Sequence, residues 1–273
     1  MHPRQLLQAR GLAARKRFGQ NFLLDNTAAD RIAQAAVAGE SELRVLEIGP
    51  GTGVLTAALL RAGARLTAVE IDRGLAAILR EREDLAAATI VESDILTYDL
   101  HNFAAAGRWA ACGNLPYYIT TPVLFALLEC EPQPVRIVVM VQREVAERLS
   151  AGPGSAAYGA LSLLVAYRAR ATRLLTLRPA AFYPRPQVDS TVVVLERHEH
   201  PPVQPRDPGA MLGLIRAAFA YRRKTLVNAL ELGASPVPRE RTAAALEAIG
   251  KPIGVRGETL SLDDFSRLAD QLY

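Results

Sequence analysis

The sequence predicts an α/β fold in which a doubly wound, mostly parallel sheet is followed by a small, all-helical C-terminal domain. Between residues 43 and 142, short apolar runs rich in β-branched residues alternate with segments that have helical apolar spacing. This alternation is the pattern of a parallel sheet covered by helices. A proline-rich stretch follows at 199–209, and beyond it the sequence shows only helical patterns. We therefore expect the sheet to end before that stretch.

The predicted strands fall into two groups that differ in their connections. The strands that alternate with helical segments are 43–49, 65–72, 88–94, 109–116 and 136–142. Their helices include 54–63 and 74–83. Two later runs, 172–177 and 190–198, have no convincing helix between them. We therefore expect these two runs to extend one edge of the sheet in the antiparallel sense.

Three parts of the chain follow from these patterns. The sheet-containing domain occupies 1–198 and begins with a basic N-terminal arm at 1–25. A linker at 199–209 follows, because its four prolines and one glycine disfavour both helix and strand. The last domain, 210–273, is helical. Its helices are predicted at 210–232, 238–250 and 261–273.

The charge distribution is compatible with a polyanionic partner. The chain of 273 residues has a formal net charge of +4. Residues 1–25 hold five Lys or Arg against one Asp, and residues 205–273 hold ten basic against eight acidic residues. The segment 150–188 has no acidic residue, and its arginines are Arg168, Arg170, Arg173, Arg178 and Arg185. Clustered arginine is typical of nucleic-acid binding. Surface arginine is equally ordinary, so charge alone does not decide.

Composition limits the class of protein further. No apolar run reaches the roughly 18 residues that a membrane span needs, and the basic N-terminus lacks the apolar stretch of a signal peptide. We therefore expect a cytoplasmic protein without a membrane partner. Cys112 and Cys130 lie in apolar surroundings without metal-ligand spacing, so we expect buried free thiols. The four histidines form no ligand pattern either, and no metal site is predicted.

The first motif is EIGPGTG at 47–53, where the first strand turns into the first helix. Gly49, Gly51 and Gly53 allow a sharp turn and a close approach of the backbone to a ligand. A dinucleotide fingerprint has glycine at its sixth position, where this chain has Val54. The motif therefore favours a smaller nucleoside ligand over a pyrophosphate.

Two acidic residues complete the predicted nucleoside site. Glu70 ends the second strand, 21 residues after Gly49, where a carboxylate can accept hydrogen bonds from both ribose hydroxyls. Asp94 ends the third strand, where it can accept from an adenine amino group. Both positions lie at the carboxyl ends of strands, where open α/β sheets bind ligands. The nucleoside can belong to NAD or to S-adenosylmethionine.

The second motif, NLPY at 114–117, favours S-adenosylmethionine because it resembles the Asn/Asp-Pro-Pro-Tyr/Phe motif of amino methyltransferases. An exocyclic adenine amine is a poor nucleophile because its lone pair is delocalised into the ring. The Asn114 side-chain oxygen and the Leu115 carbonyl can bind its two hydrogens and favour a pyramidal nitrogen. Pro116 would fix the backbone. Tyr117 would stack on the base, a contact of roughly 1–3 kcal/mol.

The order of motifs along nearly the whole chain resembles the family of ribosomal RNA small subunit adenine dimethyltransferases. The segments that carry the resemblance are RKRFGQNFL (15–23), EIGPGTG (47–53), NLPYYITTP (114–122), VQREVAERL (141–149), FYPRPQVDS (182–190) and AFAYRRKTLVNAL (218–230). The resemblance implies a Rossmann-like class I methyltransferase fold. It makes 1–198 the catalytic domain that binds S-adenosylmethionine and 210–273 the domain that binds RNA and the ribosome.

Matched residue by residue, the resemblance implies a set of functional positions. Those predicted to bind S-adenosylmethionine are Asn21, Leu23, Gly49, Gly51, Glu70, Asp94 and Asn114. Those predicted to act on the target adenine are Asn114, Leu115, Pro116, Tyr117 and Phe182, the last as a second aromatic contact to the flipped base. Arg222, Arg223 and Lys224 form a basic cluster on the first C-terminal helix. For this cluster the resemblance favours contact with the rRNA backbone over a solvated face.

The reaction implied by the resemblance is N6,N6-dimethylation of two adjacent adenosines in the hairpin loop near the 3′ end of 16S rRNA. The implied partner is the immature 30S subunit. We expect a monomer. We expect no binding to DNA, since no target-recognition domain of adequate size follows the catalytic part. Two alternatives stay open. One is a 23S rRNA adenine methyltransferase of the erythromycin-resistance type, and the other is a non-catalytic assembly or transcription factor on the same scaffold.

Overall fold

The chain folds into two compact units, each with its own core. The computed structural model describes residues 3–15, 18–233 and 236–273. Lys16 and Arg17 of the predicted basic arm lie outside the described residues. The first unit comprises Met1–Ala146 and Ala171–Arg197, and the second comprises Glu147–Arg170 and His198–Tyr273.

The strands follow the predicted positions closely. In the described residues they are β1 (Phe22–Leu23), β2 (Arg44–Ile48), β3 (Arg65–Glu70), β4 (Thr89–Glu92), β5 (Trp109–Asn114), β6 (Arg136–Gln142), β7 (Ala169–Leu177), β8 (Phe182–Tyr183) and β9 (Ser190–Arg197). The seven predicted strands are all present, and their ends lie within three residues of the expected ones. The short strands β1 and β8 have no counterpart in the sequence prediction.

Helices surround the sheet and make up the second unit. In the described residues they are α1 (Pro3–Ala9), α2 (Asn26–Val37), α3 (Val54–Arg61), α4 (Arg73–Arg80), α5 (Leu100–Ala105), α6 (Thr120–Glu129), α7 (Arg143–Leu149), α8 (Ala160–Arg168), α9 (Pro208–Ala220), α10 (Leu226–Glu231), α11 (Arg239–Ala248) and α12 (Leu262–Leu272). Ser261 caps α12 in a reciprocal box with Asp264, as its sequence indicates. Among the helices of the described residues, none is both long and apolar enough to cross a membrane.

The first unit is built around a seven-stranded sheet with the strand order β4-β3-β2-β5-β6-β9-β7. The five strands from β2 to β6 pair in the parallel sense, and β9 pairs with β6 in the antiparallel sense. The predicted mostly parallel sheet and its antiparallel edge are therefore confirmed. Strands β3 and β4 lie on one side of β2, and β5 and β6 on the other. The carboxyl ends of β2 and β5 thus form a topological switch point, where open α/β sheets bind ligands.

Close packing fixes this end of the sheet. Helices α2 and α3 pack on one face, where Ile32 and Leu59 are buried against Val45 of β2. Burying a side chain of this size contributes roughly 1.5–3 kcal/mol. Gly113, the penultimate residue of β5, lies so close to β2 that a Cβ there would stand 2.5 Å from the Ile48 carbonyl oxygen. The predicted thiols, Cys112 and Cys130, are both free and buried.

A short ribbon fastens the N-terminal segment to the first unit. Strand β1 pairs with β8 in the antiparallel sense, so that Phe22 lies opposite Tyr183 and Leu23 opposite Phe182. Phe22 also packs in a small apolar cluster with Leu7 of α1. The segment around β1, which precedes the seven-stranded sheet, is therefore held in place by residues about 160 positions further along the chain.

The second unit is helical in its described residues and has an aromatic centre. Helix α9 packs against α8, α10 and α12. The ring of Phe219 lies 5.9 Å from that of Tyr158 and 6.3 Å from that of Phe265, measured between centroids. Tilted and edge-to-face ring pairs of this kind add about 0.5–1.5 kcal/mol to the area they bury. The Tyr158 hydroxyl donates a hydrogen bond of 2.8 Å to the Leu260 carbonyl.

The structure divides the chain differently from the boundary predicted at residue 198. Residues 147–170 belong to the second unit, because α8 buries Leu161 and Leu164 there and Tyr158 joins the aromatic centre. The sequence pattern gives no sign of this exchange, since the strand β7 that follows returns to the sheet. The predicted linker also ends earlier, because Asp207 caps α9 and the helix begins at Pro208.

The single helix predicted at 210–232 is interrupted, which corrects the position of the basic cluster. Helix α9 ends at Ala220 and α10 begins at Leu226. The amide of Leu226 donates to the Val255 carbonyl at 2.7 Å, so it is not available for the carbonyl four residues earlier. The intervening residues, among them Arg222 to Lys224, form an exposed turn and not a helix.

Candidate active site

A pocket opens at the carboxyl ends of β2, β3, β4 and β5, at the switch point of the sheet. It is lined by the N-terminal segment 18–23, by residues 47–52 and 54–55 at the end of β2 and in the motif loop, by residues 69–71 at the end of β3, by residues 93–95 after β4, and by the segment 114–119 that begins with the last residue of β5. Every residue predicted to bind S-adenosylmethionine lines this pocket. Of the five residues predicted to act on the target adenine, four line it, and Phe182 does not.

The glycine loop has the backbone shape that its sequence predicts. Gly49, Gly51 and Gly53 all have positive φ values, between 58° and 83°, which other residues adopt only with strain. A Cβ at Gly51 would lie 2.9 Å from the ring of Phe22. The amide of Gly51 donates to Glu70 Oε2 at 3.0 Å, so the loop is tied to the next strand of the sheet.

Glu70 is buried and fixed in orientation. Its side chain is 4% exposed, and Oε1 accepts a hydrogen bond of 2.9 Å from the Asp72 amide. Burial raises the pKa of its carboxyl group, and the amides of Asp72 and Gly51 partly offset that shift. A carboxylate held by two amides at the pocket wall is well suited to accept hydrogen bonds from a pair of ribose hydroxyls.

Asp94 lies at the same edge of the sheet, two residues beyond β4. Its Oδ1 atom accepts a hydrogen bond of 2.9 Å from the Leu96 amide. This contact orients the carboxylate at the pocket wall and leaves Oδ2 for a ligand donor. The next residue, Ile95, also lines the pocket. An apolar side chain next to an oriented acceptor suits a purine ring.

Glu47 is a buried acid that sequence reasoning does not single out, although it belongs to the first motif. Its side chain is 1% exposed, and among the described residues neither carboxylate oxygen has a hydrogen-bond partner of ordinary length. Burial raises the pKa of Glu47 to about 8, a shift that the nearby Thr56 hydroxyl reduces and the Glu70 carboxylate increases. At neutral pH the group is therefore mainly a neutral acid.

The NLPY segment is shaped by backbone and hydroxyl hydrogen bonds. The Leu115 amide donates to the Met140 carbonyl at 3.1 Å. The Pro116 carbonyl accepts twice, from the Ile119 amide at 3.1 Å and from the Thr120 hydroxyl at 3.0 Å. The Pro116 carbonyl is therefore occupied at the start of α6 and is not available to a bound amine.

The side chain of Asn114 is oriented by the N-terminal segment. Its Nδ2 atom donates a hydrogen bond of 2.7 Å to the backbone carbonyl of Asn21. A carbonyl oxygen can only accept, so the nitrogen of the amide must face Asn21 and the oxygen must face away. Sequence reasoning identifies both residues but not their contact, since they lie 93 positions apart.

Tyr117 and Tyr118 occupy different environments beside the pocket. The Tyr117 hydroxyl lies 3.2 Å from Oγ of Ser190, a residue that is 0% exposed at the start of β9. The contact fixes the far edge of the Tyr117 ring and leaves its face beside the pocket. Tyr118 is 55% exposed, and its ring is so close to Gly19 that a Cβ there would stand 3.3 Å away.

Phe182 lies in the core and not in the pocket. Its ring is 2% exposed and packs in the apolar cluster on α2 and α3, with Leu23 opposite it in the ribbon. A ring without an open face cannot stack on a base, so its position does not support the predicted contact with the flipped adenine. The neighbouring Tyr183 is only partly buried.

The basic cluster belongs to the second unit. Arg222 is engaged by its own unit, because Nε donates to Glu258 at 3.0 Å and Nη2 donates to the Ala156 carbonyl at 2.7 Å. Arg223 and Lys224 are exposed in the turn between α9 and α10. All three predicted RNA-binding residues are therefore exposed, but the Arg222 guanidinium is also engaged in holding the turn in place.

Comparison with known proteins agrees with this geometry. The fold and the pocket define a class I methyltransferase that uses S-adenosylmethionine. A protein of Geobacter sulfurreducens named ribosomal RNA small subunit methyltransferase A is 44% identical over 268 residues, which cover 96% of each chain. A protein of the same name from Lachnoclostridium phytofermentans is 41% identical, over 93% of this chain and 90% of its own. The chain belongs to the ribosomal RNA adenine dimethylase family, which matches residues 11–269.

Two solved structures resemble the chain over most of its length. A crystal structure of a dimethyladenosine transferase from Plasmodium falciparum has a TM-score of 0.75 and 26% identity, and covers 90% of this chain and 95% of that one. The 23S rRNA methyltransferase ErmE has a TM-score of 0.65 and 28% identity, and covers 92% and 99%. The likeness extends beyond the sheet-containing unit in both cases.

Replacing Glu47 by Gln should remove a pH dependence of stability. The folded chain holds a proton on Glu47 up to a pKa of about 8, whereas the ordinary value is 4.5. The free energy of unfolding therefore falls as pH rises through this window. Across this pH window, the free energy of unfolding of Glu47→Gln should rise by about 4–5 kcal/mol relative to that of the natural chain. Urea unfolding at several pH values measures this difference, and a constant difference would contradict the assignment.

Removing the contact between Tyr117 and Ser190 should slow methyl transfer. A hydrogen bond of this kind contributes about 0.5–1.5 kcal/mol, so Tyr117→Phe and Ser190→Ala should each reduce kcat by roughly 2-fold to 10-fold. The double variant should be no slower than the slower single variant, because both changes remove the same contact. Multiplicative effects in this double-mutant cycle would show that the two hydroxyls act independently.

Proposed function

We propose that the chain uses S-adenosylmethionine to transfer two methyl groups to N6 of each of two adjacent adenosines near the 3′ end of 16S rRNA. The observation that carries the proposal is the orientation of Asn114. Its amide nitrogen is bound by the Asn21 carbonyl at 2.7 Å, so its oxygen is the atom presented to a ligand. The oriented Asn114 oxygen, next to the Leu115 carbonyl that Pro116 holds in place, suits an amine substrate. Neither acceptor is a base that could take the proton that an alcohol or thiol must first lose.

The proposed chemistry needs no general base before methyl transfer, because the amine nitrogen would take up the methyl group and the positive charge, the neutral thioether would leave, and the methylated nitrogen would then lose a proton to water. When bound, S-adenosylmethionine supplies a sulfonium methyl group with a good leaving group. The Asn114 oxygen and the Leu115 carbonyl bind the two amine hydrogens, which favours a pyramidal nitrogen and directs its lone pair. The segment 113–122 carries no charge. Positioning and electrostatics in this segment therefore account for the rate enhancement.

The residues around the pocket fit the cofactor by their chemistry. Glu70 would accept from the ribose hydroxyls, and Asp94 would accept from the adenine amino group. The loop at Gly49 and Gly51 allows the backbone to approach the rest of the molecule closely. Asn21 and Leu23 of the N-terminal segment would close the remaining side.

The target adenine must leave the base stack to reach Asn114. We infer that the ring of Tyr117 contacts the flipped adenine, because the Tyr117 hydroxyl is held by Ser190 and the ring lies beside the pocket. The exposed side chains of Arg223 and Lys224 would bind rRNA phosphates through charge, with an affinity that falls as salt rises. We propose that the chain acts as a monomer in the cytoplasm on the immature 30S subunit.

The alternative substrate is 23S rRNA, which the likeness to ErmE keeps in consideration. Against it, the relatives with 37–44% identity over nearly the full chain carry a small-subunit name. The non-catalytic alternative is disfavoured because Asn114 and Tyr117 are present and Asn114 is oriented. The two remaining candidate functions, methylation of 16S rRNA and methylation of 23S rRNA, therefore differ in the ribosomal subunit that is methylated.

The decisive assay offers S-adenosylmethionine with a labelled methyl group to undermethylated small subunits, with large subunits as the control. We expect label only in small-subunit RNA, as N6,N6-dimethyladenosine. Asn114→Ala should reduce incorporation by at least 100-fold while subunit binding stays intact, because one oriented acceptor in a catalytic site is worth on the order of 3 kcal/mol. Label confined to large-subunit RNA, or none at all, would overturn the proposal.

A further inference from the structure

The N-terminal segment is joined to the sheet by a buried carboxylate two residues beyond Glu70. Asp72 is 3% exposed, and its Oδ1 atom caps α4 by accepting from the Gly74 amide at 2.9 Å. Its Oδ2 atom accepts a hydrogen bond of 3.1 Å from Nε2 of Gln20. The Arg15 guanidinium lies 3.5 Å from Oδ1. The buried Asp72 carboxylate is thus contacted by donors from both Arg15 and Gln20.

Gln20 is held on both sides of its amide. Nε2 donates to Asp72, and Oε1 accepts from the Arg15 amide at 2.7 Å. Hydrogen bonds to a charged acceptor are stronger than those between neutral groups. A buried acceptor that loses its donor destabilises the folded state. The direction of the Gln20 amide is therefore fixed, because reversing it would place its oxygen against the Asp72 carboxylate.

The residue after Gln20 carries the carbonyl that orients Asn114. Asn21 lies between Gln20, whose side chain is held by Asp72, and Phe22, which pairs with Tyr183 in the ribbon, so both neighbours limit the backbone freedom of Asn21. The Asn21 carbonyl accepts from Asn114 Nδ2 at 2.7 Å. A continuous chain of contacts thus runs from Asp72 through Gln20 and Asn21 to the amide proposed to bind the target amine.

We propose that Gln20 and Asp72 form a latch that docks the N-terminal segment and sets the orientation of Asn114 for methyl transfer. Both are positioning residues in this role, which rests on the function proposed for Asn114. Each partner in the latch belongs to the protein itself. The latch needs no ligand to form, so we expect the segment to stay docked in the absence of S-adenosylmethionine, with the Asn114 oxygen facing the pocket.

The latch can be tested by exchanging the chemistry of its two residues. Asp72→Asn keeps an oxygen to cap α4, since Asn is also a good N-cap, but it places an NH₂ group against the Gln20 NH₂ group. Gln20→Glu places two carboxylates against each other. In the double variant a Glu carboxylate accepts from an Asn amide, so the contact returns with donor and acceptor reversed. Gln8→Glu, at an exposed glutamine of α1, is the matched control.

Two measurements follow the latch. The first is kcat on small subunits at saturating cofactor, and the second is hydrogen exchange of a peptide covering 18–24 without cofactor. Each single variant should lower kcat by roughly 10-fold to 100-fold and raise exchange in the peptide. The double variant should return to within about 3-fold of the natural kcat and restore slow exchange, and the control should match the natural chain.

The outcomes separate the latch from the function on which it rests. Single variants with natural kcat, or a double variant as slow as the single ones, would overturn the latch. Restored exchange without restored kcat would overturn its link to Asn114. Failure of the proposed function has a different signature, since the natural chain itself would then methylate no small-subunit RNA in the same assay.

Discussion

The hydrogen bond between Asn114 Nδ2 and the Asn21 carbonyl is the contact on which the rest of the site depends. A carbonyl can only accept, so this contact decides which end of the Asn114 amide faces Asn21 and leaves the amide oxygen for an amine substrate. It also explains why an N-terminal segment outside the sheet lines the pocket, because that segment supplies the acceptor that the sheet cannot.

Buried acids define the electrostatics around this contact. Glu70 and Glu47 both have raised pKa values, because burial disfavours their charged forms more than neighbouring donors favour them. A bound sulfonium cation would lower both pKa values and favour ionisation, so that cofactor binding and proton release are linked. The loss of the positive charge on methyl transfer would reverse that effect. The two acids would therefore favour the cationic methyl donor over its neutral product.

Local patterns in the sequence account for the sheet and most of the pocket, but not for the contacts between distant segments. The strand runs and the glycine loop are encoded within a few residues, and Glu70, Asp94 and NLPY sit at strand ends where periodicity places them. Glu47 had a detectable signal, since it is a lone acid in the otherwise buried strand Arg44–Ile48.

Other features had no local signal. The break between α9 and α10 arises from a hydrogen bond to Val255, and the exchange of residues 147–170 into the second unit arises from packing. The burial of Phe182 reflects its pairing with Leu23. Each of these depends on a partner far along the chain, which helical and strand periodicity do not report.

The amide nitrogen of Asn114 binds the Asn21 carbonyl, and the amide oxygen is the atom that we propose binds the substrate. The most direct test is the rate of methyl transfer by Asn114→Asp, which keeps an oxygen for the substrate and removes the donor to Asn21. We expect the rate of methyl transfer to fall on the order of 10-fold to 100-fold, because a carboxylate oxygen would face the Asn21 carbonyl. A rate equal to that of the natural chain would contradict this expectation, since an acceptor alone would then be sufficient.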